Sequence, residues 1–344
     1  MVWIRRHPRW SLVLGVVLVL LLAFLTVVFT PLFDRTITST PDPATTYAEA
    51  STAAAELAAG EGDEINDLCR SVVIDSGERV ERSVVLLHGF TNCPQQYSAF
   101  AKAYADAGYN VVIPRLPGHG EADRLTKAPS DVGPDDLVAA ADEAVDIAAG
   151  LGRDVTVVGL SGGGTLASWL AYQRDEVTEA VLLAPLVAPK AVPDALAAPI
   201  ARLSRFIPDE YIWWDGEQKE ELASPPYAYP RFSVRSLGAF LAVGRAAEVQ
   251  DSQRTTQLQR LVVVTNENDL AVSNRGVSDI ERQLEHVLAV GHNANSEVNY
   301  VFLAEDEYRH DLIDPEGENA DVLTEIYAEI GPLMGLDALE SYVP

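Results

Sequence analysis

The residues Gly159-Leu160-Ser161-Gly162-Gly163 lie between an apolar run, residues 155–158, and a helix-like stretch, residues 165–173. This pattern predicts a serine on a sharp turn from a strand into a helix, which exposes the hydroxyl as a nucleophile. The glycines two residues before and two after the serine fit because backbones come close in such a turn and leave no room for a Cβ atom. An ordinary glycine-rich turn could carry the same string, so the context has to decide.

Candidate partners for this serine follow two later strand patterns. Asp269 ends the segment 261–269, in which an apolar strand pattern is followed by a polar loop. His310 comes after a second such strand, residues 298–303. Both residues therefore follow the carboxyl end of a predicted strand, where open α/β sheets place their ligands and their chemistry.

These residue types suit one reaction. A neutral serine hydroxyl is a poor nucleophile, so it needs a base that takes its proton during attack and returns it to the leaving group. His310 has a suitable intrinsic pKa, and Asp269 would hold one imidazole tautomer and stabilise the imidazolium. We therefore predict Ser161, Asp269 and His310 as a catalytic triad, with Glu267 and Asp279 as alternative acids.

Strand and helix patterns alternate along the chain. Strands are predicted at 72–74, 83–87, 111–114, 155–158 and 181–184, and helices at 95–107 and 134–151. This alternation implies a mainly parallel sheet with helices on both faces. The length and hydrophobic content suit one α/β catalytic domain, which we place at residues 63–344.

The alternation stops between about residues 186 and 257, where prolines and aromatic residues accumulate. Long insertions in compact domains are usually functional and often act as lids. We predict a cap over the pocket here, and for most of its aromatic residues the better interpretation is that they form the cap's own core. These residues are Tyr211, Trp213, Trp214, Tyr227, Tyr229, Phe232 and Phe240.

The N-terminal part is predicted to lie outside the catalytic domain. Residues 1–10 are a basic segment with Arg5, Arg6 and Arg9, residues 11–30 carry no charge, and residues 31–62 resemble a solvated linker with a short helix near 47–59. An uncharged run of this length can cross a ~30 Å hydrocarbon layer, and basic residues stay cytoplasmic. We expect a single-pass cell-membrane protein with its N-terminus cytoplasmic and its catalytic domain outside. A cleaved signal peptide is the alternative, but no Ala-x-Ala-like site follows the run.

The chain carries a net charge of -26, from 51 acidic and 25 basic residues. Nucleic acid is excluded as a partner because it requires a basic footprint, and broad docking on anionic lipid is disfavoured. No pair of histidines or cysteines has the spacing of metal ligands, so we expect neither a metal nor another cofactor. The composition leaves the oligomeric state open.

The two cysteines, Cys69 and Cys93, would both lie outside the cytoplasm. An oxidising compartment and an even count favour a disulfide, which would hold Cys93 beside the turn at His88 to Phe90. The alternative is a pair of small buried thiols.

Three motifs carry a resemblance. Leu86-Leu-His-Gly-Phe90, Arg115-Leu-Pro-Gly-His-Gly120 and Gly159-Leu-Ser-Gly-Gly163, together with a late acid and histidine, resemble the monoacylglycerol lipase and carboxylesterase branch of the α/β-hydrolase superfamily. Serine, acid, histidine is also the chain order of that superfamily. The resemblance covers residues 68–335 and implies the α/β-hydrolase fold with an inserted cap.

The resemblance also implies further roles. The backbone amides of Phe90 and Gly162 would form the oxyanion hole, and His88 and Gly89 would shape the turn that carries Phe90. The implied activity is that of a serine hydrolase acting on short or medium acyl esters or on monoacylglycerol-like lipids. A serine peptidase, a C–C hydrolase and an inactive surface-tethered binding protein remain alternatives.

Overall fold

The computed structural model describes residues 8–30, 36–217, 219, 225–248, 256–273, 297–303 and 308–343. Within these residues, nine strands form one large sheet and one small sheet. The strands are β1 (Val72–Ile74), β2 (Val80–Leu87), β3 (Asn110–Ile113), β4 (Gly152–Leu160), β5 (Val177–Leu183), β6 (Tyr211–Trp213), β7 (Arg231–Ser233), β8 (Arg260–Asn266) and β9 (Glu297–Leu303). The large sheet has seven strands in the order β1-β3-β2-β4-β5-β8-β9, and β6 pairs with β7.

All neighbours in the large sheet are parallel except β1, which runs antiparallel to β3. The central strands are near-continuous apolar runs, and the side chains from Val84 to Leu87 are fully buried. This is the expected pattern for parallel strands that are covered on both faces. The predicted, mainly parallel sheet is confirmed.

Eight α-helices lie in the described residues. They are α1 (Pro8–Phe29), α2 (Tyr47–Ala59), α3 (Ser98–Asp106), α4 (Pro134–Leu151), α5 (Gly162–Gln173), α6 (Asp194–Leu203), α7 (Val234–Glu248) and α8 (Leu323–Ile330). Strands β3 and β4 flank β2, so the connections through α3 and α4 run in opposite directions along the sheet. Right-handed crossovers then place α3 and α4 on opposite faces.

Local signals set the bounds of α4. The helix follows Gly133, begins with Pro134 at its first position and carries Asp135 and Asp136 in its first turn. Proline suits this position because its missing N–H would be unpaired there anyway, and acidic residues favour the positive end of the helix dipole. Gly152 ends the helix, so α4 has the bounds that the sequence predicts.

The segment predicted as a solvated linker, residues 31–62, differs from that expectation where the structure describes it. Helix α2 packs on α4, and Ala50 and Ala54 are buried. A Cβ added at Gly150 would lie 2.6 Å from the Cβ of Ala50, so the two helices approach closely at a glycine. The linker prediction missed this contact because alanine and glycine give little apolar periodicity.

Helix α1 has 22 residues, and its large apolar side chains from Leu12 to Leu25 are exposed. Among the helices that the described residues form, none is found to combine the length and the apolar character of a membrane span. The predicted transmembrane helix is therefore not confirmed.

The insertion between β5 and β8 contains α6, the β6–β7 hairpin and α7. Helices α6 and α7 pack on each other, and α7 also contacts α5. The insertion thus rests on the helix that follows the predicted nucleophile.

Candidate active site

Ser161 lies on the turn between β4 and α5, and its backbone has a φ of 55° and a ψ of -115°. A positive φ is strained for a residue with a Cβ atom, and such strain is frequent at functional sites. The Ser161 amide donates to Leu183 O at 2.9 Å, which fixes the turn against β5. A Cβ added at Gly159 would collide with the backbone of Gly163, and one at Gly163 would collide with Leu87 O. The two glycines are thus required by close backbone approach.

Asp269 and His310 form a hydrogen-bonded pair at the carboxyl ends of β8 and β9. The Nδ1 atom of His310 lies 2.6 Å from Asp269 Oδ2. The other carboxylate oxygen of Asp269 accepts the amides of Ala271 and Val272 at 2.8 and 2.9 Å. Asp269 is fully buried, whereas the His310 side chain is 19% exposed. The loop amides therefore aim this carboxylate at one nitrogen of the imidazole.

The electrostatics of the pair favour a charged Asp269 and a basic His310. Burial alone would raise the pKa of Asp269, but the hydrogen bond and charge of His310 and the two loop amides hold that pKa below its usual value. Burial opposes a charge on His310, but the hydrogen bond and charge of Asp269, followed by the charges of Asp311 and Glu318, raise the pKa of His310. His310 can therefore accept a proton more readily than a free imidazole.

The turn after β2 carries the residues assigned to the oxyanion hole. His88 is fully buried, its Nε2 atom accepts the Leu116 amide at 3.0 Å, and its Nδ1 atom lies 3.0 Å from Gly89 O. A carbonyl only accepts, so Nδ1 carries the proton. Burial, followed by the electrostatic effect of the neighbouring His119 on a charged imidazole, holds the pKa of His88 well below its usual value. His88 is thus neutral, and both of its ring nitrogens bind backbone groups, which suits a structural role better than that of a base.

The predicted oxyanion residues are neighbours in space. A Cβ added at Gly162 would lie 3.2 Å from the Phe90 amide nitrogen, so the Phe90 backbone packs on the first residue of α5. Thr91, the next residue, has a φ of 69°, which marks the turn as strained. The amide of Gly162 lies at the N-terminus of a 12-residue helix, where the helix dipole favours negative charge.

Gln96 connects this turn to the loop of His310. Its Oε1 atom accepts the Gly89 amide at 2.7 Å, and its Nε2 atom donates to Asp311 Oδ2 at 2.7 Å. Sequence analysis missed both Gln96 and Asp311. A polar residue inside the 95–107 helix pattern, and an acid directly after the candidate base, were the only signals available.

Asp311 is half-buried and lies next to a second polar group, which is centred on the buried Asp314. Asp314 accepts from Tyr227 at 2.5 Å and from Asn92 at 3.2 Å. Burial, followed by the charge of Asp314, raises the pKa of Asp311 to about 6. Burial likewise raises the pKa of Asp314. Two carboxyl groups with raised pKa values thus follow the candidate base within four residues of sequence.

Aromatic rings surround Phe90. Its ring centroid lies 5.2 Å from that of Phe240, 5.7 Å from that of Phe232 and 6.4 Å from that of Trp214. The indole nitrogen of Trp214 donates to Thr91 Oγ1 at 3.0 Å. Some aromatic residues of the predicted cap therefore contact the turn that carries Phe90 and do not only pack on one another.

His119 lies among the same rings and is fully buried. Its Nδ1 atom lies 2.8 Å from Pro117 O, and burial lowers its pKa to about 4. Its Nε2 atom is buried without a hydrogen-bond partner among the described residues. His119 is thus a neutral residue of the Pro-Gly-His-Gly loop.

Cys69 and Cys93 form a disulfide that spans 24 residues of sequence. Both side chains are fully buried and pack with Ile65, Tyr227 and Ala228. Cys93 directly precedes the short turn, Pro94–Tyr97, that contains Gln96. The disulfide therefore holds this turn against the N-terminal edge of the domain.

The other candidates from the sequence lie elsewhere. Glu267 is exposed, which suits an orienting acid less well than the buried Asp269. Asp279 falls in residues 274–296, outside the described residues. In the described ranges no group of three or more His, Cys, Asp or Glu side chains could hold a metal ion.

Residues 84–306 match the alpha/beta hydrolase family, and the chain belongs to this family. The match covers the turn at Ser161, the turn that carries Phe90, and Asp269. His310 lies just beyond its end.

Relatives point to one branch of the family. The chain is 38% identical over 98 residues to a thermostable monoacylglycerol lipase of Bacillus sp. (strain H-257), a match to 27% of this chain and 36% of that protein. Solved structures share the fold at lower identity. One such structure comes from a study of LipS and LipT, two lipolytic enzymes derived from metagenomes. It gives a TM-score of 0.56 at 20% identity, over 79% of this chain and 99% of that one.

Two further solved structures are monoacylglycerol lipases. That of Paleococcus ferrophilus gives a TM-score of 0.54 at 17% identity, over 79% of this chain and 98% of that one. A soluble variant of monoglyceride lipase from Saccharomyces cerevisiae gives 0.53 at 16% identity, over 80% of this chain and 92% of that one. The chain thus belongs to the alpha/beta hydrolase family and is similar to monoacylglycerol lipases.

Proposed function

We propose that the protein is a serine hydrolase that cleaves carboxylic esters through an acyl-enzyme, with Ser161 as nucleophile, His310 as base and Asp269 as orienting acid. The observation that carries the proposal is the 2.6 Å contact between His310 Nδ1 and Asp269, at the same edge of the sheet as a strained, 93% buried serine elbow. Parallel strands end at one edge, so the three side chains come from β4, β8 and β9 to the same region.

A chain of contacts supports this convergence. The backbone of Phe90 packs on Gly162, the residue after the serine. The amide of Gly89 donates to Gln96, and Gln96 donates to Asp311, the residue after the histidine. The turn that carries Phe90 therefore contacts both the turn at Ser161 and, through Gln96, the loop that carries His310.

The proposed mechanism follows from these contacts. Asp269 holds the proton of His310 on Nδ1, so Nε2 keeps the lone pair that accepts the serine proton during attack. The negative oxygen of the tetrahedral intermediate accepts the amides of Phe90 and Gly162, which are fixed in place before the reaction. His310 then returns the proton to the leaving alcohol, and water repeats the sequence to release the acid.

The substrate is proposed from the ring cluster around Phe90. Phe232, Phe240 and Trp214 form an apolar wall beside the proposed oxyanion hole, and Trp214 is 47% exposed. Such a wall suits an uncharged acyl chain of short or medium length. The relatives named as monoacylglycerol lipases make a monoacylglycerol-like lipid the leading candidate.

A fluorophosphonate probe tests the nucleophile. We expect it to label the parent and to leave Ser161→Ala unlabelled. Ser168→Ala is the matched control, because Ser168 is buried on the same helix and donates to Thr165 O. An unlabelled but folded parent would favour a binding protein. Turnover of aminoacyl anilides without turnover of p-nitrophenyl acyl esters or monoacylglycerol would favour a peptidase.

We also propose that the N-terminal segment anchors the protein with its catalytic domain outside the cytoplasm. The support is the uncharged run 11–30 behind Arg5, Arg6 and Arg9, together with the exposed apolar side chains of α1. The full chain should stay with carbonate-washed membranes, a form without residues 1–30 should not, and protease added to intact cells should reach the catalytic domain. Recovery of the full chain in the wash would reject the anchor.

A further inference from the structure

A cavity lies on the far side of α7 from the proposed active site. Its volume is ≈ 780 Å³, and it lies between α6, α7 and the start of α4. None of the proposed triad or oxyanion residues lines it. Its lining includes four arginines and a single carboxylate, namely Arg202, Arg205, Arg235, Arg245 and Asp131.

The sequence of α7 builds one wall of this cavity. Arg235, Gly238, Ala242 and Arg245 recur every three or four residues, so they share one face of the helix. Gly238 and Ala242 are small, so no long side chain lies between Arg235 and Arg245 on this face. At Gly238 a Cβ would collide with Ser204, so α7 packs closely there. Phe240 lies on the same helix but contacts Phe90, so α7 separates the two sites.

The charge of the cavity is opposite to that of the chain. The protein carries -26 overall, yet arginines outnumber carboxylates four to one in this lining. The nearby Asp209 accepts from the hydroxyls of Ser130 and Ser233 and from the backbone amide of Arg235, and it also interacts with the charge of Arg235. The Nη2 atom of Arg235 donates to Ile207 O, and its Nε atom is buried without a hydrogen-bond partner among the described residues. A buried guanidinium donor of this kind favours an anion.

One arginine of the cavity wall contacts the N-terminal helix. Arg202 lies in the last turn of α6 and donates to Val28 O, near the end of α1, and α6 packs on α1. If α1 is the anchor proposed above, this wall lies where the chain leaves the bilayer, at the level of the lipid headgroups.

We propose that this cavity binds the phosphate group of an anionic phospholipid headgroup. The planar guanidinium fork matches phosphate oxygens in two-pronged hydrogen bonds. Several arginines in one cavity concentrate positive charge on a protein that the negative membrane surface otherwise repels. The lipid source rests on the proposed anchor, whereas the preference for a phosphate anion rests on the cavity alone.

The test uses the full chain in non-ionic detergent. Dihexanoyl-phosphatidylglycerol, dihexanoyl-phosphatidylcholine and inorganic phosphate are titrated separately, with binding followed by calorimetry. We expect the phosphatidylglycerol to bind most tightly, with an affinity that falls as salt is added. Each arginine removed should weaken binding about fivefold. The single variant is Arg205→Gln, on the exposed rim of the cavity, and the double variant combines it with Arg235→Gln.

Arg153→Gln is the matched control: Arg153 is exposed and pairs with the exposed Glu81, so this change should leave binding unchanged. Unchanged binding in both Arg205→Gln and the double variant would overturn the site, as would equal binding of the two lipids. Inorganic phosphate binding as tightly as the phosphatidylglycerol would overturn the lipid source. Ester hydrolysis, measured alongside, reports separately on the proposed active site.

Discussion

The side-chain amide of Gln96 donates to the carboxylate of Asp311 at 2.7 Å, across 215 residues of sequence. The other end of the same amide accepts from Gly89. A glutamine amide has one donor end and one acceptor end, so these two partners fix its orientation. The residue after the proposed base thereby holds the turn of the proposed oxyanion hole.

Gln96→Leu should lower kcat at least about tenfold with little change in KM, because the buried Gly89 amide loses its acceptor and the turn carrying Phe90 shifts. Steady-state kinetics with a p-nitrophenyl ester measures this. Gln95→Leu, at the neighbouring half-buried position, is the control and should retain the parent kcat. Equal effects of the two changes would argue against the connection.

Asp311→Asn should move the acid limb of the kcat/KM profile to lower pH. The negative charge of Asp311 helps to raise the pKa of His310, so its loss lets the imidazole deprotonate at lower pH. Activity in the parent should appear only as pH rises through the raised pKa of His310, since the imidazolium cannot accept a proton. Gln96→Leu should move the limb the same way by a smaller amount, because the hydrogen bond from Gln96 lowers the pKa of Asp311 and its loss leaves less negative charge beside His310. An unshifted limb in Asp311→Asn would contradict the assigned base.

Asp269→Asn should reduce kcat by about 10⁴-fold, because an amide at this position favours the wrong imidazole tautomer. Glu267→Gln removes the same charge from an exposed side chain two residues away and should reduce kcat by less than about twofold. Stopped assays with both variants at one pH decide between the two acids. Greater loss with Glu267→Gln would reassign the role.

Loss of the Cys69–Cys93 disulfide should lower the free energy of unfolding by about 2–5 kcal/mol. The bridge closes a loop of 24 residues and restrains the turn with Gln96, so reduction should also lower activity before the protein unfolds. Denaturant titration with and without dithiothreitol measures the first effect. The Cys69→Ala/Cys93→Ala double variant should be unaffected by reductant, and any response there would point to another cause.

Trp214→Ala should reduce kcat/KM for octanoyl esters more than for acetyl esters, because the ring forms part of the wall beside Phe90. The lost hydrogen bond to Thr91 should affect both esters alike, so the ratio isolates the contact with the acyl chain. Trp213→Ala is the control, since that ring lies against Lys219 and Arg231. A constant ratio in Trp214→Ala would place the acyl chain elsewhere.

The local parts of the site could be predicted from sequence. The glycines around Ser161 predict a tight turn, because the close backbone contact that excludes a Cβ at Gly159 involves Gly163, which is near in sequence. The bounds of α4 follow from Pro134 and Gly152 for the same reason. Asp269 and His310 could be proposed because each follows a strand, and strands leave an apolar pattern.

Contacts between distant polar residues left no such pattern. Gln96 and Asp311 pair across the fold, and the packing of α2 on α4 depends on small residues at Ala50 and Gly150. The arginine cavity likewise combines residues from α6 and α7 that only tertiary packing brings together.

The sequence by itself determined the elbow, the parallel sheet and the order of the chemical groups, since these depend on steric and hydrophobic rules that act over a few neighbouring residues. The tertiary structure alone decided which polar groups meet. A hydrogen bond needs two partners within about 3 Å, and for residues hundreds of positions apart only the packing of the whole domain sets that distance.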